Sequence, residues 1–338
     1  MIGWQITDTG KLEKINRIEP LSEIDSVKVK ITKTLITEDD IAFIMSEKPL
    51  NIIPGRMAIG QITELPYETE YLKKSTKVCI SATRECGKCN NCINGNTDKC
   101  YDFQVAGQNV DGFLKDFAVL KTSDVHTYPA SIPDDEIIYL EYVSLALSVI
   151  DKLNIEKGEH VAIFGSSVFG SALAQLIIYY QGVPIIIDND EEGLLLARKS
   201  GIYYTVKSGA KLEKEVSAIT GGRMVSKTVY ITGTKVSSET ALKLSAPFGK
   251  VAFAGFCHTS VKAPLGLALG KQLECLFITS GYGNEKTAIN ILANKAIDFS
   301  NYTLPLTKME NIDENIAKMC QDYEDKKEVK NLLINMMG

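Results

Sequence analysis

The chain has 338 residues, which at about 150 residues per domain predicts two domains. Apolar residues make up 45% and charged residues 23%, the proportions of an ordinary globular protein, which exclude a disordered or fibrous chain. Acids outnumber bases by 42 to 37, and with no basic cluster this argues against nucleic acid or a charged membrane surface as partner.

Residues 1–14 mix Asp8 and Glu13 with lysines and lack the apolar core of a signal peptide. The longest apolar runs, such as 173–180, fall short of the roughly 18 residues of a membrane span. A soluble, cytoplasmic chain is expected. Val27, Val29 and Ile31 alternate with Lys28, Lys30 and Thr32, the period-two pattern of a half-buried strand, and Gly55, Gly60 and several prolines punctuate the stretch after it. The first third therefore reads as strands and turns.

Cys86, Cys89, Cys92 and Cys100 fall in the run CGKCNNCINGNTDKC, spaced C-x2-C-x2-C-x7-C, with Gly87, Gly95 and Asn96 available for tight turns. Four thiolates at this spacing can close a tetrahedron around one zinc ion, and a closed shell leaves no position for water or substrate, so a structural zinc is expected. Incidental buried thiols and an iron–sulfur cluster are the alternatives. Cys79, Cys257, Cys275 and Cys320 are scattered and read as small buried hydrophobes.

From His160 onward β-rich runs alternate with helical stretches. Strands are predicted at 161–164, 183–188, 203–206, 228–232, 250–254 and 275–279, with helices at 169–181 and 191–199. Six strands with intervening helices predict a doubly wound parallel sheet. After Gly283 the alternation stops, and the last 55 residues are expected to return to the N-terminal part.

The segment VAIFGSSVFGSALAQL puts Gly165, Ser167 and Gly170 at the three positions of a G-x-G-x-x-G fingerprint, between a strand and a helix. Gly165 allows the tight turn and Gly170 the close packing of helix on sheet, while a pyrophosphate would rest on the amides of the helix start, around Val168 and Phe169. Ser167 departs from the pattern: its Cβ crowds the approach of backbone to phosphate, although its hydroxyl can itself bond a phosphate oxygen. Eighteen residues after Gly170, the run VPIIID ends in Asp188, an acid suited to the adenosine ribose hydroxyls. This favours NAD, since a 2′-phosphate would meet Asp188, Asp190, Glu191 and Glu192, with no arginine before Arg198.

A cysteine lobe ahead of a nucleotide-binding half resembles the zinc-containing alcohol and polyol dehydrogenases of the medium-chain dehydrogenase family. The likeness runs over nearly the whole chain. Asp111-Gly112-Phe113 stands where that family has a Gly-Gly-Phe turn, IEKGEHV precedes the first sheet strand, ITGT surrounds Thr232, and FGKVAFAG resembles the fifth strand. The resemblance implies an α/β chain with a GroES-like β-rich catalytic domain over 1–145 and 284–338, carrying the zinc lobe at 79–105. It also implies a Rossmann domain over 146–283 with a doubly wound parallel six-stranded sheet, Thr232 beside its NAD, and a cleft between the domains for a small-molecule substrate. A homodimer or homotetramer is implied as well.

The family normally holds a second, catalytic zinc through a cysteine in a CGTD-like run, the histidine and glutamate of GHE, and a later cysteine or acid. Here the first run reads Thr37-Glu38-Asp39-Asp40 and the second Gly55-Arg56-Met57, and only Glu141 in LEYVSLALSV remains as a donor. The three histidines, His126, His160 and His258, stand in no ligand spacing. One zinc per chain is therefore expected, with Arg56 and Glu141 forming an ion pair in the place of the metal; the alternative is that each faces solvent. In an enzyme without that zinc, Arg56 is the natural oxyanion donor. Thr37 or Asp39 would relay the proton, Asp39 as a carboxylate general base, unless the two merely cap the helix that begins before Ile41. Asp40 matches a supporting aspartate of the family and is read as structural. The competing reading is a non-catalytic NAD-binding relative with a regulatory or binding role.

Overall fold

The structure is a computed structural model that describes the chain except for residues 7–11, 19–24, 46–50, 257–260, 326, 328 and 338. A hairpin of β1 (Ile2–Ile6) and β2 (Leu12–Asn16) is followed by the long strand β3 (Ser26–Ile36). The alternation in β3 has its expected effect, with Val27, Val29 and Ile31 fully buried. Next come helix α1 (Glu38–Ile44), then β4 (Met57–Glu64), β5 (Lys77–Ile80) and β6 (Thr83–Arg84). The cysteine lobe contributes α2 (Asn90–Ile93) and leads through β7 (Gln104–Val105) to β8 (Phe117–Lys121), β9 (Val125–Thr127) and α3 (Asp134–Ile137).

Helix α4 (Leu140–Leu153) leads into a regular alternation: β10 (His160–Phe164), α5 (Val168–Tyr179), β11 (Val183–Asp188), α6 (Glu191–Lys199), β12 (Tyr204–Lys207), α7 (Leu212–Ile219), β13 (Val225–Ile231) and α8 (Ser238–Leu244). It ends with β14 (Ser245–Ala254), α9 (Leu265–Gly270), β15 (Glu274–Ile278) and α10 (Glu285–Ala293). The chain then returns in β16 (Leu306–Lys308), α11 (Ile312–Glu324) and β17 (Leu332–Asn335).

Two compact units result, 1–141 with 304–338, and 142–303. In the first, strands run β16-β17-β3-β4-β5-β9 across one sheet. One edge of β3 is shared: β8 pairs its first half and the returning β17 its second half. Val29, Ile31, Ile53, Phe113, Leu114 and Ile334 fill the core beneath. In the second unit six parallel strands lie in the order β12-β11-β10-β13-β14-β15. The order reverses between β10 and β13, the switch point outside which open α/β sheets bind ligands at the carboxyl ends of their strands.

The expected GroES-like and Rossmann architecture is thus present, with two differences of extent. The strands expected from 228 and 250 begin at Val225 and Ser245, because Pro247 and Gly249, turn residues in the sequence, are absorbed where the pairing register shifts after Val225. The expected return at 284 comes at Leu304 instead. Residues 284–303 stay with the parallel sheet because Asn284 donates to Ser148 Oγ at 2.9 Å, and Gln175 and Asp298 exchange two hydrogen bonds of 2.8 and 3.1 Å.

Gly112 shows how tightly the first unit is closed. A Cβ there would overlap the Gly55 carbonyl oxygen and lie 2.6 Å from that of Pro54, so the neighbouring backbone would have to move. Gly112→Ala should destabilise this unit by about 1–3 kcal/mol, whereas Gly266→Ala, on a helix with open space around it, should be neutral or stabilising. Thermal unfolding of the two variants checks this; equal midpoints would contradict the packing argument.

Candidate functional site

The four lobe cysteines converge. Their sulfurs all lie within 4.8 Å of one another, and among the described residues they form the one group of three or more metal-type donors. The backbone aims amides at them: Cys89 N donates to Cys86 Sγ at 3.4 Å, while Cys86 N and Asp102 N donate to Cys100 Sγ at 3.3 and 3.4 Å. Gly87 and Gly95, at φ +69° and +79°, supply the left-handed turns that bend the chain around this point. Tetrahedral thiolate ligation with amide support fits one structural zinc and leaves no open coordination position. Of the scattered cysteines, Cys79 is buried as expected, Cys275 and Cys320 are only half-buried, and Cys257 lies outside the described residues.

The dinucleotide fingerprint lies where β10 gives way to α5. Gly165 has φ +128°, and a Cβ on Gly170 would overlap the Gly165 carbonyl oxygen, so both glycines are needed for the turn. Ser167 caps α5, its hydroxyl accepting the Gly170 amide at 3.4 Å. The amides of Val168 and Phe169, in the first turn, have no acceptor within the helix and face the helix start, as a phosphate requires. The Phe169 ring is buried and stacks on Tyr142 at 5.9 Å, so what this residue can offer a cofactor is its backbone. Thr232 lies just past β13, held by its amide to the Ala254 carbonyl at 2.9 Å.

Asp188 ends β11 as expected, but its surroundings differ from the expectation. Its Oδ2 accepts the Ser166 amide at 2.6 Å and the Ser166 hydroxyl at 2.8 Å; its Oδ1 accepts the amides of Asn189 and Asp190 at 2.6 and 3.3 Å. Asp190 caps α6 through the amides of Glu192 and Gly193.

The third cluster gathers around Arg56. Thr37 is the N-cap of α1, and Asp40 closes the capping box, Oδ2 accepting the Thr37 amide at 2.8 Å and hydroxyl at 2.9 Å. Asp40 Oδ1 accepts the Gly55 amide at 3.2 Å and so ties the helix to the turn that carries Arg56. Arg56, only 4% exposed, places its charge beside Asp39 and Asp40 and lowers the pKa of each. Burial nevertheless outweighs it. Asp39 is half-buried as a residue, yet desolvation of its carboxyl, helped by the neighbouring Asp40 charge, pushes its pKa up to about 6. Asp40 is also raised, chiefly by burial. Glu141 is buried in the first turn of α4, where Thr83 Oγ1 donates to it at 3.4 Å.

The family model described as "Alcohol dehydrogenase GroES-like domain" matches residues 23–130, and that described as "Zinc-binding dehydrogenase" matches 169–294. The chain belongs to the zinc-type alcohol and polyol dehydrogenases of the medium-chain family. An uncharacterized zinc-type alcohol dehydrogenase-like protein of Haemophilus influenzae is 24% identical over 93% of this chain and 95% of its own length. A sorbitol dehydrogenase of Halalkalibacterium halodurans is 25% identical over 73% of this chain and 74% of its own. An alcohol dehydrogenase of Escherichia coli solved with NADH superposes with a TM-score of 0.83 at 20% identity, covering 99% of each chain, a likeness of fold. Among the described residues of this dehydrogenase-family chain, no helix is long and apolar enough to cross a membrane.

Thr37, Asp39 and Arg56 are thus brought together, with Asp40 as the group that joins them. The cap reading of Thr37 holds, with Asp40 rather than Asp39 as its partner. Two residues escaped the sequence reading: Ser166, whose only signal is a second hydroxyl beside Ser167, and Thr83, which has no signal apart from its place near the start of the lobe, ahead of its cysteines. The metal content is set by the donor groups: elemental analysis should find one zinc per chain, lost when Cys89 and Cys92 are both changed to serine. Two tightly bound zinc ions per chain would contradict it.

Proposed function

We propose that the chain is an NAD(H)-dependent oxidoreductase of the alcohol and polyol dehydrogenase type that works without a catalytic zinc, its single zinc being structural. The observation that carries this reading is a buried cation, Arg56, at a sequence position where the family has a metal ligand, beside a desolvated carboxyl, Asp39, at the position of the family's proton-relay hydroxyl. An ammonium or guanidinium beside a reacting oxygen stabilises developing alkoxide charge, and one such donor contributes about 3 kcal/mol to a transition state. Arg56 would take that role. Asp39, with a pKa of about 6, is ionised at neutral pH yet basic enough to take a hydroxyl proton during oxidation and return it during reduction. Thr37 holds Asp40 through two hydrogen bonds, Thr83 would position Glu141, and the expected ion pair of Glu141 with Arg56 belongs to this proposal.

Bound nicotinamide would supply the hydride acceptor or donor. Gly165, Gly170 and the first-turn amides of α5 fit its pyrophosphate, and the acids at 188 and 190–192 disfavour a 2′-phosphate, since Lys207 is engaged by Glu191 and Arg198 by Thr205. A small-molecule substrate, a cytoplasmic setting that suits free thiols, and a homodimer or homotetramer complete the proposal. The exposed Phe277 on β15, the end strand of the parallel sheet, supports self-association.

The test is turnover with NAD across alcohols, polyols, sugars and hydroxy acids, followed at the absorbance of the reduced nicotinamide. Oxidation of an accepted substrate should rise with pH through about 6, and Asp39→Asn should remove that inflection. Arg56→Met should lower turnover by about 100-fold while NADH binding persists. No turnover on any of these classes would overturn the enzymatic reading, and unchanged turnover in Arg56→Met would overturn the role of Arg56.

A further inference from the structure

The parallel-sheet unit carries an internal competitor for its own nucleotide site. A carboxylate has about four acceptor directions, and on Asp188 this chain fills all four: the Ser166 amide and hydroxyl on Oδ2, the Asn189 and Asp190 amides on Oδ1. Asp188 and Ser166 are 8% and 3% exposed, so little of the contact is open to solvent. Three of the donors are backbone amides fixed by the turn and the start of α6. The fourth is the Ser166 hydroxyl, and it alone can leave by rotating about one bond.

The space around that hydroxyl is small and polar. A Cβ on Gly193 would overlap Ser166 Oγ and stand 2.7 Å from Asp190 Oδ2, so the missing side chain at 193 is what makes room for the serine hydroxyl between β11 and α6. The carboxyls of Asp188 and Asp190, at the carboxyl end of the strand beside the fingerprint, offer the acceptor chemistry that a sugar hydroxyl needs.

We propose that Ser166 sets the affinity for the dinucleotide by occupying the Asp188 acceptor that an adenosine ribose hydroxyl needs. This rests on the NAD(H) reading above. In the free chain the Ser166 hydroxyl satisfies Asp188; on binding, the ribose hydroxyl must displace it, and part of the binding free energy is spent on that exchange. Ser166 is therefore a positioning and specificity-determining residue that touches no reacting atom.

The experiment titrates wild type, Ser166→Ala and Ser166→Gly with NADH and with reduced nicotinamide mononucleotide, which has no adenosine ribose, following nicotinamide fluorescence. Both variants should bind NADH roughly five- to tenfold more tightly than wild type, bind the mononucleotide unchanged, and melt at lower temperature without ligand. A wild type that binds NADH with the same or higher affinity than the variants overturns the competitor role and leaves the NAD(H) reading intact. Equal tightening for both ligands also overturns it, because the effect would not lie at the ribose. If none of the three proteins binds NADH, the NAD(H) reading fails and the competitor role with it.

Discussion

A guanidinium buried in the β-rich unit must be compensated by nearby carboxylates, and the local architecture around Arg56 answers to this constraint. Asp40 does two jobs at once. It caps α1 through Thr37, and it takes the Gly55 amide, so the helix start and the arginine turn are fastened to the same carboxyl. The turn itself is confined by Gly112 and Gly107, where a side chain would press on the Gly55 backbone. Asp39, one residue before Asp40, is thereby brought under the influence of Arg56 and held in a poorly solvated place. Burial raises its pKa, Arg56 lowers it and Asp40 raises it, and the balance leaves it at about 6, a range useful for moving protons.

The parallel-sheet unit meets a different constraint. Its fingerprint turn works through backbone, so glycine positions decide it and Ser167 is tolerated as an ordinary helix cap. Asp188 is a buried acid whose acceptors are met by four hydrogen bonds from its own turn and from Ser166. Those donors hold the carboxylate in place, and a ligand hydroxyl must compete with one of them. The same saturation that stabilises the free fold therefore tunes the site.

Much of this was legible in the sequence for physical reasons. Period two reveals the first half of β3, where Val27, Val29 and Ile31 are fully buried and the lysines between them are not; the parallel strands β10 and β11 read as apolar runs, because both faces are covered. Two-residue cysteine spacing announces the lobe, because sulfurs must converge within a turn or two of chain. Features that depend on long-range contact were not legible. Gln175 with Asp298, which keeps 284–303 with the parallel sheet, joins residues more than a hundred positions apart. Thr83 with Glu141 and Ser166 with Asp188 have the same character: each residue type is common, and only folding decides its partner. The extended starts of β13 and β14 were hidden by Pro247 and Gly249, whose turn propensity is overridden by a shift of register.

Carboxyl titration by carbon NMR of aspartate-labelled protein tests most directly whether the Arg56 charge tunes Asp39. In the wild type Asp39 should titrate near 6, and in Arg56→Met, where burial and Asp40 act without the opposing cation, its pKa should be higher. An Asp39 pKa that stays unchanged or falls in Arg56→Met would contradict this tuning.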